Sequence, residues 1–246
     1  MRHTFRVTVG YVPAAGATVT LDESDGHHLV RVARRAVGEG AEVIDPVGQI
    51  WPARVVDIGP PVVVRVGDAP RSAPATLPIE LFVGALEWGR FDLLVEKCTE
   101  IGVARITMFG SARAVRRVDQ DGFDRRRDRL VRLVDAAAKQ SGRGRRPELR
   151  GLVPFATVID EIPPGAGCVV DARGDQALGT TLRAGDHPHV AIVVGSDAGF
   201  SEDEIGAARD AGLPICSLGQ ATLRAETAAL VAVAIASDAV GARGAD

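Results

Sequence analysis

The amino-acid sequence predicts an α/β protein made of two parts. Residues 1–72 contain short β-prone runs broken by turn residues, which predict a small β-barrel. Residues 73–246 alternate predicted strands with predicted helices, which indicates a mostly parallel sheet with helices on its faces. The length of 246 residues exceeds one average domain, and contents of 46% hydrophobic and 25% charged residues are typical of a soluble globular protein.

The barrel strands come first in the chain. Four β-prone runs predict strands, and they begin at Arg6, Ala17, Glu42 and Val62. A helical or turn-like insert at residues 25–37 interrupts the series and carries basic side chains, namely His27, His28, Arg31, Arg34 and Arg35. Proline, small and polar residues dominate residues 67–78, which is the composition of an exposed linker. The domain boundary is therefore placed near residue 73.

Strands and helices alternate after this boundary. Apolar runs predict strands at residues 79–83, 105–109, 167–170, 190–194 and 214–218. Apolar residues at helical spacing predict a helix over residues 91–101, which Gly102 stops, and a longer helix over residues 123–140. Ser201 and Glu204 stand in capping-box relation, which predicts the start of a helix that reaches residue 211.

The last predicted helix, residues 227–239, is apolar nearly all round. Such a helix should be buried on every side, by its own domain or by a second subunit. It is too short to cross a bilayer, which takes about 20 apolar residues, and no other run approaches that length. The N-terminus lacks the apolar core of a signal peptide. We therefore expect a cytoplasmic protein with no membrane span.

The cysteines and histidines do not favour a metal site. Cys98, Cys168 and Cys216 are far apart and lack a C-x-x-C partner, so neither a disulfide framework nor a zinc site is supported. His27 and His28 are adjacent, and neighbours on a strand point to opposite faces, which makes joint ligation of a metal awkward. No metal is expected.

The net charge of -3 conceals a strongly basic segment. Residues 113–150 hold 13 Lys or Arg against 6 Asp or Glu, and only one of the 13 is a lysine. Arginine suits planar, bidentate contacts to phosphate, so this segment predicts binding of nucleic acid. The alternative is a solvated helix face on which Asp124, Asp128 and Asp135 pair with neighbouring arginines.

Two glycine loops are the candidate ligand-binding segments. The sequence contains no G-x-G-x-x-G fingerprint, no P-loop and no G-x-S-x-G nucleophile elbow. Residues 195–199 and 218–224 remain, and each follows a predicted strand, which is where open α/β sheets bind ligands. Glycine lets backbone amides and carbonyls approach a ligand closely. Plain tight turns are the alternative reading of the same pattern.

The second loop leads into a charged helix entrance. Arg224, Glu226 and Thr227 precede a helix made almost wholly of small apolar residues. Charges at such a place cost desolvation energy unless they are paired or face a ligand. The segment therefore predicts a functional site, with an ordinary capped helix start as the alternative.

Five ordered sequence blocks carry a resemblance to one known family. They read GHHLVRV at 26–32, EKCTEIGV at 96–103, AKQSGR at 138–143 followed by Pro147, GSDAGFS at 195–201, and LGQATLRAETA at 218–228. Together they resemble the RsmE family, bacterial enzymes that methylate uracil N3 in small-subunit ribosomal RNA and belong to the SPOUT (α/β-knot) methyltransferases. The likeness spans nearly the whole chain.

The resemblance implies a fold, a cofactor and partners. It implies a PUA-like RNA-binding barrel followed by a SPOUT trefoil-knot domain that binds S-adenosylmethionine and forms a homodimer. The implied partner is 16S rRNA in the small ribosomal subunit. The cofactor is expected among the loops at the knot, and the corresponding residues here are Val170, Gly195, Ser196, Asp197, Gly199, Leu218, Gly219, Thr222 and Leu223.

The chain departs from the family pattern at several places. Relatives usually read GPEGGFS in the first glycine loop, so Ser196 and Ala198 are unusual and Asp197 shortens the usual glutamate by one methylene. Relatives carry arginine at the position of Ala221 and tend to have glutamate where Lys139 stands. They often have a basic residue about where Glu87 falls. These departures put the shape of the pocket in doubt.

A uracil N3 becomes a good nucleophile once its proton leaves and charge spreads onto the ring carbonyl oxygens. We hypothesise that Arg224 stabilises that charge and that Glu226 orients Arg224 and accepts the proton. An accessible N3 requires an unpaired or flipped base. The expected RNA-binding residues are His27, Arg31, Arg34, Arg143, Arg145 and Arg146.

Two other functions remain open from the sequence. The first is a SPOUT RNA methyltransferase that acts on another atom, such as a ribose 2′-hydroxyl or another base. The second is a non-catalytic RNA-binding or ribosome-assembly protein whose site has decayed, an idea that Ser196, Ala198 and Ala221 suggest.

Overall fold

A computed structural model describes residues 4–114, 118–185 and 188–241 and divides the chain into two compact units. The first unit ends at Ala75 and also includes Asp135–Arg146, while the second contains Thr76–Val134 and the residues from Pro147 onward. The sequence did not predict that residues 135–146 would group with the N-terminal part.

The first unit is built on a curved, mainly antiparallel sheet. Its strands are β1 (Arg6–Thr8), β2 (Thr18–Thr20), β3 (Gly40–Ile44), β4 (Gln49–Asp57), β5 (Val63–Val66) and β6 (Arg71–Ser72). Their order is β1-β3-β4-β5-β2, with β6 paired to β4, and only β1 with β3 is a parallel pair among them. All four predicted strands are confirmed. The longest strand, β4, was not predicted because Pro52 interrupts its pattern.

The predicted insert between β2 and β3 is helical. Helix α1 spans Glu23–His27, and a π-helical turn continues it over His28–Val32. Asp22 caps α1 by accepting a hydrogen bond from the backbone N–H of Asp25 at 2.7 Å. Leu29 is fully buried beneath the π-turn. The insert is therefore anchored in the barrel core.

The second unit contains a seven-stranded sheet in which every pair is parallel, as predicted. Its strands are β7 (Leu77–Gly84), β8 (Val103–Gly110), β9 (Glu148–Pro154), β10 (Gly167–Val170), β11 (Gln176–Ala177), β12 (Val190–Val194) and β13 (Ile215–Ser217). The order is β11-β13-β10-β12-β7-β8-β9. Strands β10 and β12 are wholly buried and the second half of β7 is buried as well, because helices cover both faces of the sheet.

Helices α2 to α6 connect these strands, and α7 follows the last of them. They span α2 (Trp88–Ile101), α3 (Gln120–Ser141), α4 (Phe155–Glu161), α5 (Leu178–Ala184), α6 (Glu202–Asp210) and α7 (Ala225–Gly241). Gly102 ends α2 with a φ of 100°, and Ser201 and Glu204 form the predicted capping box of α6. Helices α4 and α5 were not predicted, because each is only 7 residues long and shows little periodicity.

The end of α3 packs within the first unit. The ammonium of Lys139 donates to both carboxylate oxygens of Asp25 at 2.9 Å. After the helix, Gly144 lies so close to Gly48 that a Cβ on Gly144 would approach the Gly48 Cα to 2.4 Å. Only glycine allows this approach, so residues 135–146 belong structurally with the barrel.

Strand β13 is inserted between β10 and β11, although only residues 171–175 join those two strands. The connection crosses the backbone of β13 at Gly174, where a Cβ would approach the carbonyl carbon of Cys216 to 2.4 Å. This crossing belongs to the α/β-knot fold that the resemblance implied. Periodicity and composition did not predict it.

Helix α7 is the apolar helix of the prediction, but its own unit does not bury it on every side. Ala229, Ala232, Val233 and Ala236 are buried, whereas Val231 remains 36% exposed. Burial of that face by a second subunit stays a prediction. Across the described ranges, no helix is both long and apolar enough to span a membrane.

Candidate active site

A cavity of about 280 Å³ lies at the carboxyl ends of β10, β12 and β13. Parallel strands present these ends at one edge of the sheet, so the three following loops converge there. All nine residues expected at the cofactor line this cavity: Val170, Gly195, Ser196, Asp197, Gly199, Leu218, Gly219, Thr222 and Leu223. The structure therefore brings them together, and their role in cofactor binding stays a prediction.

Glycines give the cavity its backbone walls. Gly199 and Gly219 have φ angles of 68° and 116°, a region that side chains disfavour. Behind the first loop, Gly84 at the end of β7 lies against Ser196, and a Cβ on Gly84 would approach the Ser196 nitrogen to 2.3 Å. The first glycine loop thus rests directly on the edge of the sheet.

Two buried oxygens at this place have no hydrogen-bond partner within the described part of the chain. They are Oγ of Ser196, which lines the cavity, and Oε2 of Glu226 in the first turn of α7. Buried polar atoms are usually satisfied in folded proteins. Both atoms therefore lack the partner that a buried polar atom usually has, and the Ser196 oxygen lies where a ligand in the cavity would supply one.

Sequence reasoning missed Asp171 and Arg173, which follow β10 at the same edge. Asp171 lines the cavity, and Arg173 pairs with it at 2.7 Å while also donating to the carbonyl of Phe200 at 3.0 Å. Burial raises the pKa of the Asp171 carboxyl, but hydrogen bonds from Arg173 outweigh burial and leave that pKa lowered. The position of these residues directly after a buried strand was the signal that could have identified them.

The Asp171–Arg173 pair predicts a pH-dependent stability. Because the folded-state pKa of Asp171 is lowered, the stabilisation is present above the ordinary carboxyl pKa and is lost as pH falls through the lowered value. Asp171→Asn should lower the midpoint of thermal unfolding most at neutral pH, and the difference from wild type should shrink as the pH is lowered toward 3. A difference that does not change with pH would contradict the prediction.

Arg224 and Glu226 stand beside the cavity rather than in its lining. Arg224 is exposed immediately before α7, and its carbonyl accepts the first helical hydrogen bond, from Ala228 at 2.8 Å. Glu226 is buried, with 8% of its surface exposed. Among the described residues, the ion pair of Glu226 is with Arg90, at 3.7 Å, and not with Arg224. The structure therefore does not contain the expected orienting contact between Glu226 and Arg224.

The expected RNA-binding residues all belong to the first unit. His27 and Arg31 are exposed on α1 and the π-turn, Arg34 is exposed just after the π-turn, and Arg145 and Arg146 are exposed after α3. Arg146 pairs with Asp135 at 2.8 Å. The remaining member, Arg143, is half-buried and donates to the carbonyl of Ala75 at 3.0 Å, and burial lowers the pKa of its guanidinium.

The basic segment is only partly neutralised by local pairing. Arg127 pairs with Asp124 at 3.5 Å, and Arg129 pairs with Asp92 at 2.8 Å. Arg126 stacks over the ring of Trp88 at 4.9 Å. The alternative of a solvated, internally paired helix face therefore describes part of α3.

A larger groove of about 760 Å³ lies in the first unit, and its lining includes Arg35, Arg54 and Arg65. Size alone would favour it as a ligand site. The smaller cavity is the better candidate because backbone loops, a carboxylate and an unpartnered hydroxyl converge there, as in sites for small polar ligands.

The structure locates several departures from the family pattern. Lys139 pairs with Asp25, so the changed charge at position 139 has a local partner. Glu87 occupies the N-cap position of α2, and the basic residue of that region is Arg90, one turn later. Ala221 lines the cavity.

Neither the cysteines nor other residues form a metal cluster in the described ranges. Cys98, Cys168 and Cys216 are free and buried. Burial raises the pKa of the Cys98 thiol to about 12, so this thiol is inert at neutral pH.

Comparison with known proteins supports the assignment of this chain to the RNA methyltransferases. Residues 73–237 match the RNA methyltransferase domain model, and residues 21–64 match the RNA methyltransferase PUA domain model. Ribosomal RNA small subunit methyltransferase E from Mycobacterium bovis is 30% identical over 92% of this chain and 88% of its own length. The Synechocystis protein of the same name is 27% identical over 94% of this chain and 76% of its own length.

A solved structure is also similar over nearly the whole chain. It is the ribosomal RNA small subunit methyltransferase E from Neisseria gonorrhoeae bound to S-adenosyl methionine, with a TM-score of 0.79, 25% identity, and coverage of 94% of this chain and 96% of that one. The fold and site define an RNA methyltransferase of the SPOUT class with a PUA-like domain. The chain belongs to the ribosomal RNA small subunit methyltransferase E (RsmE) family.

Proposed function

We propose that this protein transfers a methyl group from S-adenosylmethionine to N3 of a specific uracil in 16S rRNA. The observation that carries the proposal is the cavity at the carboxyl ends of β10, β12 and β13, lined by both predicted glycine loops. The Neisseria gonorrhoeae relative, of the same fold, is a structure with S-adenosyl methionine bound. Uracil N3 as the target follows from the family resemblance.

The residues of the cavity fit this cofactor. Gly195, Gly199 and Gly219 expose backbone N–H and C=O groups, which suit the polar edges of an adenosyl group. The unpartnered Oγ of Ser196 supplies a further hydrogen bond. Val170 and Leu223 add apolar surface. When bound, the cofactor supplies a methyl group on a positively charged sulfur.

The residues beside the cavity act on the RNA base. Arg224 is exposed next to the lining residue Leu223, so its guanidinium can reach negative charge that develops on the uracil oxygens. Glu226 is buried with Oε2 unpartnered, which makes it the candidate acceptor of the N3 proton. Holding the base in line with the methyl group lowers the entropic part of the barrier.

The RNA is bound through the first unit in this proposal. His27, Arg31, Arg34, Arg143 and Arg145, together with Arg146, supply donors for phosphate. A second copy of the chain covers the exposed face of α7 around Val231, so the working form is a homodimer.

The deciding experiment is mass spectrometry of digested small-subunit RNA from cells that lack the gene. One methylated uridine should be missing, and the purified protein with S-adenosylmethionine should restore it. A missing ribose methylation, or methylation of another base, would replace uracil N3 by the alternative target. Absence of cofactor binding in calorimetry would favour a non-catalytic RNA-binding protein.

Charge reversal at Arg145 tests the RNA-binding surface. Arg145→Glu should weaken RNA binding and reduce the slope of log K against log salt by about one, since a phosphate contact is lost. The double variant Arg145→Glu/Arg146→Glu should lower the RNA affinity and the salt slope further. Affinity for S-adenosylmethionine should not change, because the cavity lies in the other unit. Filter binding at several salt concentrations measures the effect, and unchanged RNA affinity would return these arginines to a merely solvated surface.

A further inference from the structure

Arg90 lies between the first glycine loop and the first turn of helix α7. Strand β7 ends at Gly84, which supports the first glycine loop, and α2 begins at Trp88. Arg90 is in the first turn of α2, and its side chain is 33% exposed. Sequence reasoning did not select it, because it fits an ordinary amphipathic helix.

The guanidinium of Arg90 contacts two carboxylates that belong to different walls of the site. Its Nη1 donates to Oδ2 of Asp197 at 2.8 Å, and its Nε lies 3.7 Å from Oε1 of Glu226. Asp197 lines the cavity in the first glycine loop, whereas Glu226 is in the first turn of α7. One cation therefore joins the loop after β12 to the helix after β13.

Burial explains why this contact matters. Glu226 has 8% of its surface exposed and an unpartnered Oε2, so the ion pair of its Oε1 with Arg90 is the contact that fixes the position of this carboxylate among the described residues. Asp197 is much more exposed, with 46% of its side-chain surface accessible, and so does not need Arg90 for its own solvation. The planar guanidinium can serve both acids because its donors point in several fixed directions.

We propose that Arg90 is a positioning residue that links occupancy of the cofactor loop at Asp197 to the placement of the Glu226 carboxylate. Arg90 holds the Glu226 carboxylate in place at the entrance of α7, and Asp197 in the first glycine loop in turn holds Arg90. This inference rests on the proposed function. The aspartate at position 197, one methylene shorter than the glutamate usual in relatives, reaches Arg90 in this chain.

A double-mutant cycle between Arg90 and Asp197 tests the link. The variants are Arg90→Gln, Asp197→Asn and their combination, with affinity for S-adenosylmethionine measured by calorimetry and transfer to small-subunit RNA measured in single-turnover reactions. Arg90→Gln should slow transfer by about tenfold or more and weaken cofactor binding. Asp197→Asn should weaken cofactor binding in the wild-type background and add little to Arg90→Gln, because the two residues act as one unit.

Arg90→Lys separates positioning from general stability and serves if Arg90→Gln fails to fold. A lysine can still pair with Asp197 but cannot serve both acids, so cofactor affinity should recover while the transfer rate stays low. The matched control is Arg183→Gln, which removes a 2.9 Å ion pair to Asp238 near the other end of α7. This control should leave both measurements unchanged.

The possible failures are distinguishable. A wild-type protein that binds no S-adenosylmethionine would overturn the proposed function itself. A wild-type enzyme that methylates RNA, combined with additive effects of Arg90→Gln and Asp197→Asn, would overturn the link alone. Full activity of Arg90→Gln, or equal loss of affinity and rate in Arg90→Lys, would do the same.

Discussion

Arg224→Ala is expected to lower the rate of methyl transfer by about 10²- to 10³-fold, the effect of removing one donor to a developing negative charge. Glu226→Gln is expected to lower it by about 10²-fold or more, because the amide keeps the size of the side chain but cannot accept the proton. Single-turnover reactions with saturating cofactor measure both rates.

Measurement of cofactor binding should distinguish Arg224→Ala from variants of the cavity. Arg224 does not line the cavity, so calorimetry with Arg224→Ala should give an affinity for S-adenosylmethionine close to that of the wild type. Arg209→Ala, at the exposed end of α6, is the matched control for loss of a surface arginine and should be fully active. Near-normal rates with both Arg224→Ala and Glu226→Gln would remove the assignment of these residues to the chemistry.

Gly84→Ala is expected to have the largest effect on cofactor binding. Its new Cβ would approach the Ser196 nitrogen to 2.3 Å and the Gly195 carbonyl carbon to 2.8 Å. Both are backbone atoms and cannot rotate away, so the first glycine loop must shift from the sheet edge. Overpacking of this kind costs about 1–3 kcal/mol of stability, and displacement of the loop should reduce cofactor affinity by more than tenfold.

A second glycine provides the control for Gly84→Ala. Gly206 is in helix α6, and a Cβ there would meet no atom within 4 Å. Gly206→Ala should therefore keep cofactor affinity and raise stability by up to about 1 kcal/mol, since alanine favours helix more than glycine does. Thermal unfolding and calorimetry on both variants test the pair. Unaltered cofactor binding by Gly84→Ala would show that the loop does not depend on this close approach.

The strands and helices that sequence reasoning found are the long or strongly patterned ones. Strands β10 and β12 are confirmed at the predicted residues, because buried parallel strands are continuous apolar runs. Helix α6 is confirmed by its capping box. Strand β4 was not predicted because Pro52 interrupts its pattern. Helices α4 and α5 were not predicted because they are too short to show a helical periodicity of apolar residues.

The sequence predicted the part of the candidate site that lies at the carboxyl ends of the strands. The two glycine loops follow β12 and β13, and Val170 ends β10. The parallel sheet places these three strand ends together, so the nine expected residues line one cavity. Arg90 was not predictable in this way. Its partners Asp197 and Glu226 are more than 100 residues away in the sequence, and no local pattern encodes such a contact.

The sequence by itself determined the two-part α/β organisation, the parallel sheet and the position of the glycine loops. These features depend on burial and backbone conformation, which repeat along the chain within a few residues. Only the tertiary structure decided that residues 135–146 join the first unit, that β13 passes between β10 and β11, and that Arg90 pairs with Glu226. Each of these depends on close approach between distant segments, and the packing of the whole fold selects which side chains meet.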